Sequence, residues 1–214
     1  MIQKILAFSP IVILISMVLA PSTVFASPTP TLNQTINAGT LTTDIYQSND
    51  STPVTAPTVA FPAQNYSFLC QTSTAVLGDA NDKVNVTNLA NGINTWTLSI
   101  AATSGTSALW SNGTNTYSYN NAAGSGCTGG QLTVNPAAAT LTDDCNSNCT
   151  NTNVTLGAST AFNGTTVPSV TLMSDSSGTA WEGYLTGIGL SQQIPALQHS
   201  GSYSLGMTIT ITNT

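Results

Sequence analysis

Residues 203–211 alternate without a break. Tyr203, Leu205, Met207, Ile209 and Ile211 are apolar, and Ser204, Gly206, Thr208 and Thr210 between them are small or hydroxylated. In an extended chain successive side chains point to opposite faces, so this pattern gives one apolar face and one hydroxyl-rich face. A helix would scatter the same five apolar groups around its circumference. Residues 95–100 repeat the pattern: Trp96, Leu98 and Ile100 share one face, and Thr95, Thr97 and Ser99 share the other. Burying one such apolar side chain is worth about 1.5–3 kcal/mol. The alternation therefore marks Trp96, Leu98, Tyr203, Met207, Ile209 and Ile211 as core residues.

Shorter pieces continue the theme at 36–46, 66–70, 84–89, 132–134, 154–156, 170–173 and 181–185, with Gly, Asn, Asp or Pro between most of them. Asn112-Gly113 separates Ala108-Leu109-Trp110 from Tyr117-Ser118-Tyr119. Asn-Gly tolerates the positive φ angles of a type I′ turn, so a hairpin is expected there. The 135–153 stretch, with its Ala, Asp and Cys residues, reads as a long connection between two halves of one sandwich. No segment beyond residue 26 has a capped 3.6-residue period. The expected fold is all-β, an antiparallel β-sandwich of immunoglobulin-like type without substantial helix, in a single domain over 27–214.

The first 26 residues read as a removable secretory signal. Lys4 supplies a positive start, 6–20 is an apolar run, and Val24-Phe25-Ala26 has the small residues of a cleavage site. The run falls short of the ~20 residues of a membrane-spanning helix, and Pro10 interrupts it. The expected product is a secreted, extracellular, surface-associated protein with no integral membrane span.

Charge narrows the partners. Lys4 and Lys83 are the only basic residues apart from His199, and eight acids bring the net charge to −6. A surface this poor in cations cannot neutralise phosphates, so nucleic acid is excluded as a partner, and anionic membranes lack the basic patch they attract. Four cysteines, Cys70, Cys127, Cys145 and Cys149, follow the signal. In an oxidising compartment they read as two disulfides, for which three connectivities exist. The preferred pairing is a local Cys145–Cys149 bridge and a remote Cys70–Cys127 bridge. Zinc is the rival reading of the Cys145–Cys149 spacing, but no second ligand pair accompanies it.

Catalytic chemistry has little to stand on. His199 is the sole histidine and stands in a turn-like Leu197-Gln198-His199-Ser200-Gly201 context, and no G-x-S-x-G elbow occurs. Acid pairs such as Asp79 with Asp82 lie among Asn and Gly, where carboxylates usually cap turns. Calcium is the one cofactor the sequence offers, through the hard oxygens of Asp79, Asn81 and Asp82; these do not follow the EF-hand pattern. Trp110, Tyr117 and Tyr119 flank the expected hairpin tip among Asn and Thr. They are candidates either for cross-strand packing or for stacking on sugar rings.

The two clearest strands also resemble a family. Thr95-Trp96-Thr97-Leu98 is similar to the first motif of WxL-type cell-surface domains, and residues 203–211 are similar to their distal, Tyr-containing motif. The resemblance spans most of the chain after the signal. It implies a secreted β-rich module that attaches noncovalently to bacterial cell walls, with Trp96, Leu98 and Tyr203 as the carried-over motif residues. Where the distal motif often ends in a second Trp-x-Leu, this chain has Ile209-Thr210-Ile211. The expected function is a non-enzymatic attachment or adhesion module whose partners are a cell-wall polymer or other surface proteins. The alternative is a structural subunit of an extracellular fibre or coat, self-associating by β-strand addition at a sheet edge.

Overall fold

The computed structural model describes residue 34 and residues 39–90, 95–121 and 129–214. The chain divides into two units, 1–36 and 37–214, and every strand belongs to the second. The expected signal segment and Cys127 lie outside the described residues.

The second unit is all-β, with sandwich-like packing of antiparallel sheets. One sheet orders β1 (Leu41–Tyr46), β3 (Lys83–Asn88), β12 (Trp181–Thr186) and β8 (Thr140–Asp143). Another orders β10 (Thr160–Ala161), β7 (Leu132–Asn135), β13 (Ile188–Ile194) and β2 (Gln71–Leu77). The third orders β14 (Met207–Asn213), β4 (Trp96–Ala102), β11 (Ser169–Asp175) and β9 (Val154–Leu156). A hairpin, β5 (Leu109–Ser111) with β6 (Thr116–Ser118), stands apart. Helical structure among the described residues is confined to short 3₁₀ turns such as Pro136–Ala138.

The two alternating segments are direct neighbours. β14 pairs antiparallel with β4, setting Ile209 opposite Ile100 and Ile211 opposite Leu98. Their apolar faces therefore form one continuous surface, the condition for a stable cross-strand pair. On β4, Trp96, Leu98 and Ile100 are buried while Thr97 and Ser99 are half-buried on the other face. On β14, Met207, Ile209 and Ile211 are half-buried against the core, and Thr208, Thr210 and Thr212 are exposed. The parity is the same on both strands. The shallower burial of β14 follows from its place at the sheet's end, with one neighbouring strand among the described residues. The strand begins at Met207, later than the alternation suggests. Tyr203 and Leu205 precede it in an extended run tied by a Ser111–Ser204 bridge.

The Trp96 and Trp181 rings meet at 5.7 Å and join the first and third sheets. Leu172 and Met173, consecutive on β11, are both fully buried because the register with β4 slips between Thr171 and Met173. A bulge there turns two adjacent side chains inward, which a regular strand cannot do. Gly183 is required where it stands, because a Cβ would collide with the Thr142 carbonyl and the Trp181 ring.

Several elements differ from the sequence expectation. Residues 66–70 are a largely exposed loop, and the strand starts at Gln71. The 135–153 connection contains β8, which completes the first sheet beside β12. β13 is not visible in the alternation because its inward positions end in Gln192, a buried amide, where an apolar residue would be expected. The Asn112-Gly113 hairpin is present, but its loop is 112–115 rather than a two-residue turn. The Asn112 Oδ1 accepts from the Thr114 and Asn115 backbone N–H groups, and Gly113 takes φ 89°. That side-chain bonding closes a longer loop than Asn-Gly alone would need.

Candidate functional site

The hairpin β5–β6 positions an aromatic cleft. Paired strands hold Trp110 opposite Tyr117, and their rings stack at 6.0 Å with only 12° between planes. Phe61 meets Trp110 edge-on at 5.7 Å, and Tyr203 meets Tyr117 at 5.1 Å. The resulting row, Phe61–Trp110–Tyr117–Tyr203, is drawn from three separate stretches of chain. All four rings are half-buried, so each keeps surface toward solvent.

Polar groups fix the row in place. The Trp110 indole N–H donates to the Gln192 Oε1 at 2.8 Å, and the Gln192 Nε2 donates onward to the Gln193 carbonyl. Gln192 is buried, and a buried amide left without partners would cost about 1–3 kcal/mol, so this pairing locks both side chains. The Tyr203 hydroxyl donates to the His199 carbonyl at 2.8 Å and accepts from the Gln198 Nε2 at 2.7 Å. His199 thus serves the cleft through its backbone, and its exposed side chain stands at the rim.

The cleft has a volume of about 430 Å³, within the range of small-ligand sites. Besides the aromatic row, Gln64, Asn65, Gln71 and Gln198 bring amides and Ser200 and Ser202 hydroxyls to its lining, while the buried Gln192 and Ser73 are already bonded to Trp110 and the Pro62 carbonyl; among the described residues no Asp, Glu, Lys or Arg lines it. It is therefore an uncharged site with flat apolar faces and hydrogen-bonding rims. A larger crevice of about 800 Å³ runs between β1, β2 and β14 under the extended 54–61 segment. Core aliphatics such as Ile100, Val134, Leu190 and Ile209 form much of its wall, and the carboxylates of Asp44, Asp79 and Asp82 also stand on its lining.

Burial pushes the Tyr117 phenol up to about 12, with the neighbouring Tyr203 adding to the shift. In the unfolded chain this group ionises near pH 10, so the folded state holds its proton longer. Its contribution to stability is full below about pH 10 and is lost progressively as pH rises toward about 12, because over that window the unfolded state alone gains the charge. Urea midpoints measured from about pH 9 upward are expected to fall across that window. The fall should be smaller in Tyr117→Phe, and equal falls in both proteins would contradict this assignment.

The structure separates the residues singled out by sequence. Trp110 and Tyr117 lie in the cleft. Tyr119 does not: it is fully buried, its ring packs on Phe162 at 5.1 Å, and its hydroxyl donates to the Gly105 carbonyl. This corrects its reading as a ligand-facing aromatic; it follows Tyr117 by two residues, but the chain leaves β6 after Ser118 and turns inward. Trp96 and Leu98 are wholly buried. Tyr203 joins the cleft rather than the β14 face. Phe61, Gln192 and Gln198 carry no local pattern that distinguishes them, and only tertiary folding brings them to the aromatic row.

The remaining candidates resolve into structural roles. The Asp79 Oδ1 accepts from the backbone N–H groups of Asn81 and Asp82 at 2.6 and 3.0 Å, the geometry of a carboxylate-capped turn. Among the described residues no three His, Cys, Asp or Glu side chains gather as a metal site would need. Cys145 and Cys149 form a disulfide with Cα atoms 5.6 Å apart, which removes them as metal ligands. Cys70 is also disulfide-bonded. No helix among the described residues is long and apolar enough to cross a membrane.

Comparison with protein-family models, with curated proteins and with solved structures returned no match.

Proposed function

We propose that this protein is a non-catalytic surface module that holds a cell-wall glycan in the Phe61–Trp110–Tyr117–Tyr203 cleft. The observation that carries this reading is the locked aromatic row facing solvent within an uncharged, amide-rimmed hollow. A sugar ring has an apolar C–H face and hydroxyls around its edge. The face gains by leaving water for an aromatic surface, and the hydroxyls find donors and acceptors in the Gln and Ser groups beside it. Glycoside hydrolysis would need two carboxylates flanking the bond, and none of the described residues lining this cleft carries one. Of the WxL-type motif residues, Tyr203 stands in the cleft, while Trp96 and Leu98 are core residues.

Trp110→Ala is expected to abolish retention on purified cell-wall sacculi at a temperature where the variant is still folded, its thermal midpoint being lowered by several degrees because the buried Gln192 amide loses its partner. Retention equal to wild type would refute the assignment of the cleft.

A second reading, a fibre or coat subunit, has one observation in its favour. β14 ends its sheet with β4 as its only strand partner among the described residues, so an added strand from another copy has a place to bind. Concentration-dependent growth of filaments by purified protein, seen by light scattering, would support it.

A further inference from the structure

Beside the cleft, three large apolar side chains stand in water. Tyr66, Phe68 and Leu69 are 58%, 78% and 75% exposed. A cluster of this kind on a loop is costly to maintain in a soluble protein and usually marks a binding surface. The loop is not loosely attached. The Leu197 N–H donates to the Ser67 carbonyl at 2.8 Å, the Leu69 N–H donates to the Ser67 Oγ, and Cys70 is disulfide-bonded. The Tyr66 and Phe68 rings hold each other edge-on at 5.8 Å. Tyr66 and Ser67 also line the cleft, so the ridge begins where the cleft ends.

The charge distribution adds a constraint. A polyanion such as a phosphate-bearing wall polymer needs cations. The described residues hold a single Lys or Arg, Lys83, and its ammonium is committed to both oxygens of Asp50, at 2.7 and 2.9 Å, and lies over the Tyr184 ring. The chain as a whole is at −6.

We infer that the cleft and the Tyr66–Phe68–Leu69 ridge form one continuous site for an uncharged glycan chain several sugars long, with the ridge as an outer subsite. This rests on the glycan reading of the cleft and extends it to ligand class and length. Aromatic faces in series suit a repeating polymer whose successive rings each offer an apolar face, and the lack of free cations among the described residues turns away anionic polymers.

Isothermal titration with uncharged N-acetylglucosamine oligomers, and with polyglycerol phosphate as the anionic probe, tests it. The hexasaccharide is expected to bind about tenfold more tightly than the disaccharide, a difference of about 1.4 kcal/mol, with little dependence on salt. Phe68→Ala should weaken hexasaccharide binding toward the disaccharide value and leave disaccharide binding unchanged. Because Phe68 is exposed, its removal should not disturb folding, and an unchanged thermal midpoint is the control. Polyglycerol phosphate should not bind. Equal hexasaccharide affinity in Phe68→Ala and wild type, tighter binding of polyglycerol phosphate, or retention on sacculi without hexasaccharide binding would each overturn the inference while leaving the cleft reading in place. Failure of the cleft reading looks different: no glycan and no sacculus is bound, or Trp110→Ala binds as wild type does.

Discussion

Trp96→Ala is expected to destabilise the protein by about 3–5 kcal/mol, measured by urea unfolding. Trp96 is fully buried between sheets, with its ring 5.7 Å from that of Trp181. Alanine would remove the contact joining β4 to β12 and leave a cavity that two pleated sheets cannot close. Against a typical domain stability of about 5–15 kcal/mol, the loss is a large share of the total. The indole N–H has no hydrogen-bond partner among the described residues, so packing rather than polar bonding carries the effect. Trp96→Phe keeps a ring in the space and discards that buried donor; its cost should be smaller than that of Trp96→Ala, because only part of the ring volume is lost. If Trp96→Ala unfolds like wild type yet fails to bind cell wall, Trp96 acts on a ligand and the packing account is wrong.

The register of β14 predicts an equally sharp contrast between adjacent residues. Ile209→Asp should cost about 3 kcal/mol or more, combining lost apolar burial with a carboxylate forced against the core. Ile209 packs beside Ile100 with no free cation among the described residues to receive the new charge, since Lys83 is held by Asp50. Thr210→Asp, one residue along, should change stability by less than about 0.5 kcal/mol, because its side chain is exposed on the opposite face. Thermal unfolding of the two variants settles the register. A larger loss in Thr210→Asp would shift it by one residue. An Ile209→Asp monomer that stays stable but no longer self-associates would favour the fibre reading.

These contrasts also show what alternation can and cannot reveal. Strands whose inward residues are mostly aliphatic or aromatic, such as β4, β12 and β14, announce themselves, because period two is the direct imprint of a half-buried pleat. β13 is equally buried, yet its inward Gln192 breaks the apolar run; the amide is there to hold the Trp110 indole, a purpose visible only in three dimensions. β2 is built largely from Thr, Ser and Gln and lies at a sheet end, where hydroxyl-bearing residues blur the two faces. The cleft is half legible. Trp110 and Tyr117 stand out because a hairpin brings them together locally. Phe61 and Tyr203 approach from chain segments far away in sequence, and no spacing rule encodes such a meeting. Tyr119 misleads for the converse reason: parity with Tyr117 holds only while the strand continues, and β6 ends at Ser118.

The central claim is that a glycan sits on the Trp110 ring, and the indole N–H signals of the three tryptophans test it most directly. Trp96 and Trp181 are buried in the core, whereas Trp110 is half-buried in the cleft. In a ¹H–¹⁵N spectrum recorded while soluble wall glycan fragments are added, the Trp110 indole peak is expected to move in a saturable way. The Trp96 and Trp181 peaks should stay in place. Saturable shifts elsewhere on the surface with the Trp110 indole unmoved would contradict the account.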